Sequence, residues 1–173
     1  MNKILFLISV LFIVSCGNKP NKKKSDCKNI YENENFEFCL PSENWKSKKV
    51  DKFILFENDL NDSLTINQSV ISIVVDDYKK EISAEKIRDD QMESMMKDKD
   101  LNINLISKGQ VKINGKTFYD YEITAKSGEI YSYFLFYHKG NNGYYLSASI
   151  GEKIRNGINK KDYLKFFQTL KIK

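Results

Sequence analysis

The sequence predicts an α+β domain over residues 27–173, an antiparallel sheet sandwiched between helices. Three observations carry that expectation. Short period-two runs are followed by one helical stretch, a four-stranded meander and a second helical stretch. The strand Ile130 to Tyr137 has no polar face, with Ile130, Ser132, Phe134 and Phe136 on one side and Tyr131, Tyr133, Leu135 and Tyr137 on the other. An antiparallel strand with one wet face alternates cleanly, so both faces of this one should be covered. Two helices are available, one for each face.

Ahead of that domain stands an apolar run. Lys3 precedes Ile4 to Val14, which hold no charge, and the chain turns polar at Gly17. This run of eleven residues, apolar except for Ser9, falls short of the roughly 20 that cross a bilayer as a helix, so it fits the core of a secretion signal. The stretch Ile13-Val14-Ser15-Cys16 resembles the lipobox of bacterial lipoproteins. The resemblance implies a signal peptide over residues 1–15, cleavage before Cys16, a diacylglycerol thioether on Cys16 and an acylated new amine. The implied partner is a lipid bilayer, held through acylated Cys16. The other readings are an ordinary cleaved signal with a chance cysteine, or a buried core segment. Residues 16–26 then form a tether with Lys19, Lys22, Lys23 and Lys24 beside the anchor, each worth about 1 kcal/mol against anionic lipid. Acidic residues directly after a lipidated cysteine resemble a surface-export signal in one bacterial group. None precedes Asp26, so the expected place is the outer membrane, facing the periplasm.

Removing residues 1–15 costs one charged residue, Lys3, and lowers the formal charge from +5 to +4. A chain of this length suits one domain. Ten Tyr and eleven Phe supply a core, while eight Gly and two Pro exclude a linker or disordered protein. Acidic residues interleave with the basic ones, which excludes a nucleic-acid partner.

The elements follow in order. Lys28 to Glu32 and Asn35 to Leu40 read as a hairpin that ends at Pro41 to Trp45, since proline cannot donate to a ladder. Phe53 to Phe56 is a strand, residues 57–67 are a polar loop, and Val70 to Val75 is a buried β-branched strand. Ser83 caps a helix reaching about Lys99, with Ala84, Ile87, Met92, Met95 and Met96 near one face. That methionine-rich face is core, or else an adaptable binding surface. Ile103 to Ile113 meets Lys116 to Thr124 through Asn114-Gly115, a two-residue hairpin signal. Ile130 to Tyr137 and Tyr144 to Ile150 follow, joined through Gly140 to Gly143. The last helix runs from Lys160 to about Leu170, capped by Asn159 with Asp162 three residues on. Tyr163, Phe166, Phe167 and Leu170 make its apolar stripe.

Phe36-Glu37-Phe38-Cys39-Leu40-Pro41 with Trp45, and Val111-Lys112-Ile113-Asn114-Gly115-Lys116 ahead of an aromatic meander, resemble the PsbP-like superfamily, which includes the DcrB-like bacterial lipoproteins. The resemblance covers about residues 28–173. It implies a PsbP-like α-β-α sandwich and a non-catalytic protein that works by binding other proteins. It brings no catalytic residues.

The residues agree with that absence. The single histidine, His138, stands where a strand meets Lys139-Gly140 and reads as a solvated turn residue. One histidine with Cys27 and Cys39 does not make four zinc ligands, so no metal is expected. Asp59-x-Asn61-x-Ser63 begins like a calcium loop but has Leu64 where glycine belongs. Asp76-Asp77 and Asp89-Asp90 are sequence neighbours whose side chains diverge, so neither pair makes an acid–base dyad. No phosphate loop or dinucleotide fingerprint occurs, and no cofactor is expected. Asp62-Ser63-Leu64 resembles a three-residue O-glycosylation signal of Bacteroidetes periplasmic proteins, with a plain loop serine as the other reading of Ser63.

Cys27 and Cys39 are the two cysteines left after lipidation, in an oxidising compartment. If the hairpin loop is Glu32-Asn33-Glu34, Tyr31 faces Asn35 and Cys27 comes opposite Cys39, close enough for a disulfide. With a loop one residue different, Cys39 points into the core as a small hydrophobe. The expectation for function is a non-enzymatic, membrane-anchored envelope lipoprotein with a protein-binding or chaperone-like domain and an envelope protein as partner. An immunity or inhibitor lipoprotein against a toxin or hydrolase is the alternative, and a tethered hydrolase with an unrecognised site is a third.

Overall fold

The computed structural model describes residue 27 and residues 29–40, 43–58, 70–78, 82–125, 128–151 and 160–173. The signal segment, Cys16, the tether, Pro41, the loop carrying Asp59, Asn61 and Ser63, and Asn159 lie outside the described residues.

The elements are β1 (Ile30–Glu32), β2 (Phe36–Cys39), β3 (Trp45–Val50), β4 (Phe53–Asn58), β5 (Val70–Asp77), α1 (Ala84–Met96), a 3-10 turn (Lys99–Leu101), β6 (Asn104–Ile113), β7 (Lys116–Ala125), β8 (Ile130–Lys139), β9 (Asn142–Gly151), α2 (Lys160–Phe167) and β10 (Lys171–Ile172). Seven strands form one antiparallel sheet in the order β3-β4-β5-β9-β8-β7-β6. A second, three-stranded sheet runs β1-β2-β10.

β8 is buried from Tyr131 to Phe136. Its two faces divide as the sequence alternates. Phe134 and Phe136 pack with Tyr121, Ile123 and Ala84 of α1, and with half-buried Ile87, Met92 and Met95. Tyr131, Tyr133 and Leu135 join a larger core with Phe36, Phe38, Phe56, Tyr163 and Phe167. Tyr131 stacks on Tyr163 with centroids 5.8 Å apart, and Phe38 meets Phe167 at 6.2 Å. The second face is therefore shared between α2 and the small sheet. The expected helix–sheet–helix sandwich is met only in part: α1 covers β7 and β8 on one side, and a sheet takes part of the place of a helix on the other. The fold is a mixed, mostly antiparallel one.

Local chemistry sets the connections. Asn114 and Gly115 take positive φ of 48° and 77°, the geometry of a two-residue turn whose twist matches the strands. Ser83 caps α1, its Oγ accepting from the Lys86 amide at 3.1 Å. The β8–β9 turn is tighter than its four polar residues suggest, since Lys139 already pairs with Asn142 and Gly143 lies in β9. A Cβ on Gly143 would stand 2.3 Å from the Tyr78 ring, so the glycine admits that ring.

Two strands go beyond the sequence reading, and one expectation, Met96, is corrected. Trp45 to Val50 is a strand, because an edge strand buries only Trp45 and leaves the lysines in water. β10 extends the small sheet just beyond the last helix, pairing with β2. Met96 is half exposed and does not join the packed face of α1.

Candidate interaction surface

The most buried polar group belongs to β7. Asp120 is 0% exposed. Its Oδ2 accepts from Tyr133 Oη at 2.7 Å and pairs with Lys160 Nζ at the start of α2. Lys160 also lies over the Tyr133 ring. Burial, then the Asp120 hydrogen bond, push the Tyr133 hydroxyl well above the usual tyrosine range, so it stays a donor. Asp120 Oδ1 faces Gly109 of β6, where a Cβ would come within 3.3 Å. Two residues on, Glu122 accepts from Ser107 Oγ at 2.8 Å and from Tyr131 Oη. Sequence reasoning missed these carboxylates. The signal was present as Asp-Tyr-Glu, two acids at period two inside an aromatic strand. Lys160 and Tyr133 both hold Asp120 Oδ2, while Asp120 Oδ1 is buried without a hydrogen-bond partner.

At the β6 edge, Arg88 of α1 is buried. Its Nη1 donates to the Gly109 carbonyl at 3.0 Å, its Nε to Asp89 at 2.8 Å and its Nη2 to Glu85 at 3.3 Å. Hydrogen bonding to Arg88 holds the Asp89 carboxyl below its ordinary value, and Lys108 adds to it. Asp90 serves Lys86, so Asp89 and Asp90 diverge to separate cations, and Asp76 serves Lys52. A bulge at Ile106 also interrupts the β6 ladder. The bulge thus breaks the regular edge of β6, while Arg88 fastens α1 to a Gly109 carbonyl that points inward to β7.

The β3 edge is built differently. Lys46, Ser47, Lys48, Lys49 and Val50 are exposed. Val50 faces Phe53 across the hairpin, and these two apolar side chains are 42% and 36% exposed. The Trp45 carbonyl turns away from β4 to accept from Asn29 Nδ2 at 3.0 Å. In an antiparallel ladder such residues alternate, so Ser47 and Lys49 present their amide and carbonyl groups to the open side. Beside Lys49 a cleft of about 390 Å³ opens between the β1–β2 turn and the β3–β4 turn, lined by Tyr31, Asn33, Asp51 and Ile54.

Cys27 and Cys39 are joined by a disulfide, with Cα atoms 5.9 Å apart. The expected register is wrong. Tyr31 faces Phe38, and Cys39 faces Ile30. Asn33 Oδ1 accepts from the amides of Asn35 and Phe36, which closes a longer turn than the assumed loop. The bond therefore runs diagonally to the ladder. His138 lies inside β8 opposite Gly143, half-buried, and not in a solvated turn. Among the described residues no three His, Cys, Asp or Glu gather around a possible metal position, and no helix is long and apolar enough to cross a membrane.

No family model and no curated protein sequence matches the chain. Solved structures do. Cyanobacterial PsbP (CyanoP) from Synechocystis sp. PCC 6803 superposes with a TM-score of 0.64 at 14% identity, over 84% of this chain and 92% of that one. A Pseudomonas aeruginosa protein of unknown function, described as a putative regulator, gives 0.51 at 12% identity, over 82% and 94%. At these identities the likeness concerns the fold alone, and the fold is PsbP-like and DcrB-like.

Proposed function

We propose that this chain is a non-enzymatic, membrane-anchored envelope lipoprotein whose domain binds another protein. The observation that supports it most is the unequal treatment of the two sheet edges. The Ile106 bulge interrupts β6, whereas β3 runs without a bulge and has exposed Val50 and Phe53 beside it. Exposed apolar side chains next to an unpaired strand mark a contact surface. Cys16 carries the acyl chains, the basic tether follows the membrane, and the domain faces the periplasm.

The test places a photo-crosslinking residue at Val50 or at Lys112 of β6 in the full acylated chain, in intact envelope. Val50 should give a protein adduct and Lys112 none. Equal adducts at both positions, or none at Val50, overturn the binding reading. Cys16→Ser should abolish fatty-acid labelling and leave unprocessed precursor; labelling and processing like wild type overturn the anchor.

A further inference from the structure

We infer that the β3 edge takes an extended acidic segment of a partner protein as an added strand. The inference deepens the proposed binding function and rests on it.

The backbone supplies the first part. The Trp45 carbonyl is already used by Asn29, which fixes the phase of the strand. Ser47 and Lys49 then carry the outward donors and acceptors, and an incoming strand would pair with them. The side chains supply the rest. Lys48 and Lys49 project to opposite faces, as neighbours on a strand do. Neither has a carboxylate partner among the described residues, while Lys52 is committed to Asp76 at 2.9 Å and Lys108 to Asp89 at 3.0 Å. An added strand with acids at adjacent positions would meet one lysine above the sheet and one below. Val50 shares the Lys48 face and, with Phe53, offers an apolar seat at the end of the same row. Lysines on an edge also deter indiscriminate pairing between sheets, and a partner of opposite charge removes that deterrent. Charge complementarity thus selects the occupant, and the ladder gives it direction.

The probe is a short synthetic peptide of Glu, Thr and Val, added to the full chain in neutral-lipid nanodiscs, with a Lys-for-Glu peptide as control. The acidic peptide should slow amide exchange at Ser47 and Lys49 and leave Gln110 of β6 unchanged. Lys48→Glu with Lys49→Glu should weaken binding about tenfold or more. Ser47→Pro, which removes one outward donor and keeps both lysines, should abolish it. Lys112→Glu should change nothing. Unchanged near-ultraviolet circular dichroism reports that each variant is folded. Binding that survives Ser47→Pro in a folded chain overturns strand addition, as does absence of protection at β3. Protection produced by anionic nanodiscs without peptide assigns the edge to membrane and overturns it too. If the Val50 crosslink to an envelope protein persists in the Ser47→Pro variant, the binding function stands and strand addition falls. If no such crosslink forms in the native chain, both fall.

Discussion

Lys160→Met should be among the costliest single changes to this domain. Asp120 is 0% exposed and the Lys160 side chain is 27% exposed, so the pair is largely out of water. At a contact distance of about 3 Å and an effective dielectric near 20, the Coulomb attraction is about 5 kcal/mol. Removing the lysine leaves a carboxylate among Tyr133, Leu135 and the β6 backbone, with one remaining hydrogen bond from Tyr133. Breaking one side of a buried pair costs about 3–5 kcal/mol, and the Tyr133 bond and partial exposure of Lys160 place the expectation near the lower figure. Asp120→Asn should cost less, because the freed ammonium is near enough to the surface to regain water. The double variant should be milder than the sum of the singles, since methionine and an amide leave no buried charge. Urea denaturation followed through Trp45 fluorescence, with an unchanged slope, gives all three values. A Lys160→Met cost below about 1 kcal/mol, or strict additivity in the double variant, would refute the pairing.

Phe134→Ala should cost about 3–5 kcal/mol, because the ring is 5% exposed and stacks on Tyr121 at 4.6 Å; a loss under about 1 kcal/mol would place it outside the core. Gly143→Ala should destabilise by about 1–3 kcal/mol through the clash with Tyr78, and a neutral result in thermal denaturation would show that the ring moves freely aside. Asp89→Asn should flatten the acid limb of the stability–pH profile. Its folded carboxyl is depressed by Arg88, so its contribution is present above the ordinary carboxylate range and is lost as pH falls through it to the depressed value. An unchanged acid limb would remove Asp89 from that role. Reduction of Cys27–Cys39, bridging 12 positions, should cost up to about 3 kcal/mol, with intact mass before and after reduction reporting the bond; two alkylatable thiols in unreduced protein would contradict it.

Much of this fold is legible along the chain because the relevant forces are local or periodic. The two-sided burial of β8 is written in its alternation, the β6–β7 turn in Asn114-Gly115, and the start of α1 in Ser83. What escaped was set by neighbours distant in sequence. β3 buries a single residue, Trp45, and exposes the other five without alternation, so its membership in the sheet is decided by pairing with β4. Asp120 reads as a polar interruption until Lys160, forty positions later, is brought beside it. The hairpin register turned on one side chain, since Asn33 captures two amides and lengthens the turn. The difference between the two sheet edges has no residue signature of its own: it comes from the bulge at Ile106 in β6, which β3 lacks.

The diagonal disulfide decides how the domain bears load. A pull on the chain ahead of Cys27 would otherwise peel β1, a three-residue edge strand, one pair at a time. The covalent link delivers that pull to Cys39 instead. Cys39 ends β2, the central strand of its sheet, flanked by β1 and β10. Thr169 holds its backbone to the end of α2, its Oγ1 accepting from the Cys39 amide at 3.1 Å and donating to the Phe166 carbonyl at 2.8 Å. Force applied ahead of Cys27 therefore arrives at a strand held by a neighbour on each side, and the first hairpin acts as a clamp at the start of the domain.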